Sequence, residues 1–172
     1  LEPVGKDNNG YGFQGTFDGQ GHTISNLVIS SPSKYIGLFG YSSGGTIKNV
    51  VLDSSCSIVS SLDGQGSYVG GIIGYCQGNN EPCVIESNVN MASVTFTGTV
   101  TGYDLHLGGI AGYLYASGNE IAVRNCANYG SVTHSGAADY AYIGGVVGYS
   151  YESSSNVITY IQNCLNYGTT TH

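Results

Sequence analysis

Two tetrapeptides, Asp18-Gly19-Gln20-Gly21 and Asp63-Gly64-Gln65-Gly66, set a carboxylate beside glycine-rich backbone, a start from which a calcium loop could be built. Each offers one carboxylate where calcium gathers about six to eight oxygens, so turn formation is the expected use of both. The acids Asp53, Glu86, Asp104, Glu120, Asp139 and Glu152 are the candidates for cleaving a polysaccharide. That chemistry needs clustered acids or a facing base, and these fall at non-equivalent or loop positions, with Arg124 the one arginine. His134 and His172 lie 38 residues apart, and Phe96 lies 38 before His134. Stacked imidazoles could bind a metal, but a position that also accepts Phe is expected to be a partly exposed edge. No Ser/His/Asp set can be assigned, and the Gly-rich stretches lack the strand-to-helix setting of a phosphate loop. The chain is therefore expected to be no enzyme, with no catalytic residue, no bound metal and no cofactor.

The five cysteines, Cys56, Cys76, Cys83, Cys126 and Cys164, contain no Cys-x-x-Cys pair, which argues against a zinc site of ordinary spacing. A disulfide is expected between Cys76 and Cys83, closing a short loop that carries Gly78, Asn79, Asn80 and Pro82. Cys126 and Cys164 occupy one repeat position and are expected to be small buried neighbours rather than a bonded pair. Hydroxyls recur as Ser55-Cys56-Ser57, Ser93-Val94-Thr95, Ser131-Val132-Thr133 and Thr169-Thr170-Thr171, each triplet 38 residues after the last. The outer two residues of each triplet share a strand face. Ser55, Ser57, Ser93, Thr95, Ser131, Thr133, Thr169 and Thr171 thus make a ladder that could be a solvated face, an ice-binding face or a surface for O-linked glycans. N-linked glycans are excluded, because there is no Asn-x-Ser/Thr sequon.

What must position these residues is a repeat. Gly-x-x-Gly-Tyr elements close at Gly40-Tyr41, Gly74-Tyr75, Gly112-Tyr113 and Gly148-Tyr149, in steps of 34, 38 and 36 residues. A second element, at Ile47-Lys48-Asn49, Ile85-Glu86-Ser87, Val123-Arg124-Asn125 and Ile161-Gln162-Asn163, keeps a step of 38 throughout. Ile24-Ser25-Asn26 has the same form 23 residues before the first of these, which predicts a shorter first coil. Length variation is expected only in a surface loop between the Gly-Tyr and Ile/Val-x-Asn elements. Periods of this size mark solenoids and propellers, whose units bury their apolar sides only by stacking. The composition agrees: 28 Gly, 15 Tyr, no Trp and 9% charged residues give strands and turns but no helical periodicity.

The expected fold is all-β, a parallel β-solenoid, right-handed by the usual crossover rule, with coils of about 38 residues and about three strands per coil. Residues 1–12 read as an irregular lead-in and 13–172 as one solenoid domain, while a β-trefoil, which needs three equivalent units, fits four Gly-Tyr elements less well. Columns at 47, 85, 123 and 161 should form the core. The tyrosines 41, 75, 113 and 149 should stack, and Asn90, Asn128 and Asn166 should form an amide ladder.

The stretches Phe17-Asp18-Gly19-Gln20-Gly21-His22-Thr23-Ile24-Ser25-Asn26-Leu27 and Tyr35-Ile36-Gly37-Leu38-Phe39-Gly40-Tyr41 resemble the GLUG-motif repeat family, and the resemblance runs from about Phe13 to His172. Such repeats occur in secreted and cell-surface proteins, including non-catalytic parts of IgA-cleaving peptidases and adhesin-like proteins. The peptidase signature His-Glu-x-x-His is absent, so no peptidase activity is implied. The resemblance implies an extracellular or cell-surface structural and adhesive module, a stalk or fibre. Its expected partners are further repeats, copies stacked head to tail, and glycan or a host or cell-surface protein. Nucleic acid is not expected at net charge −7 with four scattered basic residues, and the apolar runs are too short for a membrane-spanning helix. Neither end carries an evident cap, so both are expected to be open edges.

Overall fold

The computed structural model describes residues 1–6, 9 and 12–172. Among them every regular element is a strand, and every strand pairing is parallel, so the chain is a β-solenoid of about four coils. Each complete coil contributes one strand to each of five sheets, where about three were expected. The first sheet stacks Thr16–Asp18, Gly45–Lys48, Cys83–Glu86, Ile121–Arg124 and Thr159–Gln162. The second stacks Thr23–Ile24, Val51–Leu52, Val89–Asn90, Ala127–Asn128 and Leu165–Asn166, and the third Val28–Ser31, Ser57–Ser60, Ser93–Phe96, Val132–His134 and Thr170–Thr171. The fourth holds Tyr35–Ile36, Ser67–Gly70, Thr99–Gly108 and Ala137–Gly144, and the fifth Phe39–Ser43, Ile73–Gly78, Ala111–Ala116 and Val147–Glu152.

The extra strands arise because two recurring motifs are corners. Asn49, Ser87, Asn125 and Asn163 all have φ between 52° and 55° and turn the chain from the first sheet into the second. Asn reaches this left-handed region more readily than other side chains, which is why the motif carries it. The double glycines turn the fourth sheet into the fifth, so Gly-Gly-Ile-x-Gly-Tyr is a corner followed by a strand. At that corner a Cβ on Gly109 would lie 2.3 Å from Asn128 Cγ, and one on Gly112 would lie 2.6 Å from the Val69 nitrogen. The backbone meets a buried amide at one position and the neighbouring sheet at the other.

The core divides into two apolar clusters, one around Phe39, Ile47, Ile85 and Val123 and one around Ile58, Val94, Val132 and Leu107. Ile47, Ile85, Val123 and Ile161 are successive partners in register, as the spacing predicts. The first three are buried, but Ile161 is 47% exposed because no coil lies beyond it in the structure.

Three further expectations are corrected. Phe17, not Ile24, pairs with Ile47, while Ile24 pairs with Leu52, so the first coil is short by a different alignment. Length variation is not confined to one loop: Val100 pairs with Ala138 but Asp104 with Tyr140, so the fourth sheet carries a bulge of two extra residues. The opposite adjustment lies between Ala116↔Glu152 and Ile121↔Thr159. The amino-terminal end is not an open edge throughout, since Val4 bridges Phe39 and Phe13 bridges Ser42 along the first strand of the fifth sheet. The Phe13 and Phe17 rings also pack on Phe39, with centroids 4.8 and 5.3 Å away.

Candidate functional site

Both Asp-Gly-Gln-Gly tetrapeptides are turns. Asp18 accepts hydrogen bonds from the Gln20 amide and the Asn49 side chain and pairs with Lys48 at 3.5 Å; the Asn49 bond foremost holds its carboxyl below the usual range. Asp63 accepts from the Thr99 amide at 2.6 Å. The remaining acids serve separate places. Asp53 accepts from Ser25 and Ser55, the Ser25 hydroxyl foremost lowering its pKa. Glu86 lies between Lys48 and Arg124 in the first sheet, Glu152 accepts from the Thr159 amide, and Asp139 accepts from the Gly102 amide.

Cys76 and Cys83 are joined by a disulfide, and Cys56, Cys126 and Cys164 are free thiols. Burial pushes the Cys126 thiol up to about 12, so it is a packing group rather than a nucleophile. The column holding Phe96, His134 and His172 is not a partly exposed edge in its interior: Phe96 is fully buried and His134 nearly so. Phe96 is aligned with Ser60 and His134, inside the third sheet's core face, and burial lowers the His134 pKa.

The hydroxyl ladder exists in a different register from the expected one. Ser93 pairs with Ser57 and Thr95 with Val59, two residues off the triplet alignment, because the second coil is shorter there. Ser55 therefore leaves the ladder and donates to Asp53. Two outward columns remain: Val28, Ser57, Ser93, Ser131 and Thr169, and Ser30, Val59, Thr95, Thr133 and Thr171. Ser93 Oγ donates to Ser57 Oγ at 3.4 Å.

Asn90, Asn128 and Asn166 form the amide ladder. Asn90 Nδ2 donates to Asn128 Oδ1 and Asn128 Nδ2 to Asn166 Oδ1, both at 2.9 Å, and each amide also donates to the carbonyl two residues on. Tyr41, Tyr75, Tyr113 and Tyr149 stack with centroids 4.9 to 5.5 Å apart. Beside them runs a second column that motif spacing did not disclose, Tyr35, Tyr68, His106 and Tyr142, whose rings are 5.0 to 5.5 Å apart. Burial raises the Tyr41 and Tyr113 hydroxyls to about 12 and holds His106 down to about 4.

The fourth sheet's bulge builds a cleft of about 470 Å³ lined by Lys34, Gln65, Gly66, Tyr68, Gly102, Tyr103 and Asp104. The Asp63–Gly66 turn forms one wall. Gly102, at φ 75° and tied to Asp139, forms the bulge that presents Tyr103, which is 55% exposed. Lys34 Nζ lies 5.6 and 5.5 Å from the Tyr35 and Tyr68 ring centroids. The traces in the sequence are a shortened repeat step after residue 100 and a lysine beside a ladder tyrosine. A second cleft, about 510 Å³, lies between the disulfide loop and the first sheet, lined by Thr16, Thr46, Glu81, Pro82 and Val84 among others. Comparison with protein-family models, with curated proteins and with solved structures finds no match to this chain.

Proposed function

We propose that this chain is a non-catalytic structural and adhesive repeat module of a secreted or cell-surface protein or fibre, stacking end to end and binding glycan or protein at its flanks. The observation that carries the reading is the carboxyl-terminal face. Ile161, Asn166 and Thr170 continue the columns of Val123, Asn128 and Val132, which are fully buried one coil earlier, yet all three are exposed. An apolar end face rimmed by unpaired strand edges is a template for another coil, from the same chain or from a copy. The resemblance to GLUG repeats supports a secreted or surface setting, and the Cys76–Cys83 disulfide agrees with an oxidising compartment.

Sedimentation and electron microscopy of the chain and its Ile161→Asp variant test this. The parent should associate with rising concentration, and the variant should stay monomeric at unchanged melting temperature. Val123→Asp, one step inward in the same column, should instead unfold the module, since its charge has no solvent to reach. A parent that remains a monodisperse monomer at high concentration, from a native protein without flanking repeats, would refute the stacking.

A second reading, ice binding, draws on the two hydroxyl columns of the third sheet. Their spacing is about 4.8 Å along the axis and about 7 Å across it, a regular array interrupted by Val28 and Val59. Thermal hysteresis and inhibition of ice recrystallisation decide it.

A further inference from the structure

We infer that the cleft between the Asp63–Gly66 turn and the Gly102 bulge is a binding site for a neutral saccharide, with Tyr103 as its stacking platform and Asp104, Lys34 and Gln65 as its hydroxyl partners. The inference rests on the adhesive half of the proposed function and supplies its ligand class.

Successive coils assemble the site. Lys34 comes from the first coil, Gln65 and Tyr68 from the second, Tyr103 and Asp104 from the third, and Asp139 of the fourth holds the bulge through its 2.8 Å bond from the Gly102 amide. A bulge in an otherwise regular ladder re-aims a side chain, and here it turns Tyr103 toward solvent at the rim of the cleft. Lys34 and Asp104 carry opposite charges in one cleft, yet neither forms an ion pair among the described residues; Lys34 is held instead over the Tyr35 and Tyr68 rings. A carboxylate and an ammonium left unspent on each other suit a polyol, whose vicinal hydroxyls donate to one and accept from the other. Gln65 adds an amide that can do both, and the exposed Tyr103 ring suits the C–H face of a pyranose.

The size and charge agree. The volume lies within the about 300 to 1,000 Å³ range of small-ligand pockets. An acidic sugar would meet Asp104 on a chain of net charge −7, and a cationic ligand would meet Lys34. An extended peptide adding as a strand would need a free sheet edge, whereas Leu105–Gly108, the part of the strand that follows the bulge, is paired on both sides.

The test is an array of immobilised neutral oligosaccharides ending in glucose, galactose, mannose or N-acetylglucosamine, with sialylated and sulfated arrays beside them, followed by calorimetry on the positives. The parent should bind neutral probes. Tyr103→Ala and Asp104→Asn should weaken that binding about tenfold or more. Tyr129→Ala, which removes a similarly exposed ring remote in the chain from the cleft residues, should leave it unchanged. Circular dichroism and melting temperature should match the parent in all three variants. No binding to any neutral probe, binding confined to the acidic arrays, or equal affinity in the Tyr103 and Asp104 variants would overturn the inference. Because end-to-end association is read by sedimentation and not by sugars, a failure here leaves the stacking result standing.

Discussion

His106 stands between the rings of Tyr68 and Tyr142, 4% exposed, and its Nδ1 has no hydrogen-bond partner among the described residues. Burial holds its pKa at about 4 against 6.5 in the unfolded chain, so the fold keeps the imidazole neutral. The sign follows from proton uptake. Above pH 6.5 neither state binds the proton and the contribution is intact; from 6.5 down to about 4 only the unfolded chain binds it and stability falls; below about 4 the curve levels. The full loss is about 3 kcal/mol. Urea unfolding between pH 4 and 7.5 should show this slope, and His106→Tyr, the residue type of its column neighbours, should remove most of it. His134, lowered by burial and then by His172, accounts for the slope that remains. Asp18 and Asp53, whose pKa values are lowered, act only below the unfolded value of 3.8 and lie outside this window. A profile flat from pH 7.5 to 4 would mean that His106 is solvated.

The corner between the fourth and fifth sheets is an element made of two sequence-distant parts, a double glycine and a buried asparagine. Gly71, Gly109 and Gly145 each lie where a Cβ would strike Asn90, Asn128 or Asn166. Gly109→Ala should therefore cost about 3 kcal/mol through overpacking. Asn128→Ala should cost a similar amount, about 3 kcal/mol, because it orphans two buried groups, the Asn90 amide on the preceding coil and the Gly130 carbonyl. The double variant should cost less than the sum, since truncating Asn128 clears its amide from the new Cβ, although the 2.2 Å approach to the Gly145 carbonyl oxygen remains; strict additivity in denaturant unfolding would contradict the contact. Much of this architecture was legible in the sequence. The 38-residue step placed the Ile47 and Asn90 columns and the recurring Gly-x-x-Gly-Tyr motif placed the Tyr41 column, because an equivalent residue in each repeat occupies an equivalent position in a stacked coil; the Cys76–Cys83 bond was legible from the short loop it closes. What was not legible depended on register within a coil. Ser55 and Ser57 differ by two residues, which keeps both on one face and conceals which of them pairs with Ser93. The cleft was hidden for the same reason, as Lys34, Gln65 and Tyr103 share no motif and meet only because three coils of unequal length are laid on one another.

The whole molecule is a stack in which each coil touches mainly the coils before and after it, and its two ends differ. At the amino-terminal end Val4 and Phe13 occupy part of an edge, whereas the carboxyl-terminal end presents Ile161 and Tyr167 to solvent. Load applied along the chain therefore meets a spool rather than a knot. Pulled from His172 in an optical trap, the carboxyl-terminal coil, whose outer face is uncovered in the structure, should peel first, with the others following in turn. Each coil of about 38 residues would release about 130 Å of extended chain. The step that contains Cys76 and Cys83 should be short by about 18 Å, because their bond, which spans 6.7 Å between Cα atoms, locks a seven-residue separation out of reach until a reductant is added. A single rupture releasing the entire length at once would show that the coils fail together. A ladder of even extensions with one rung shortened by the disulfide and another by the brief first coil would make the chain a tether that yields by measured lengths.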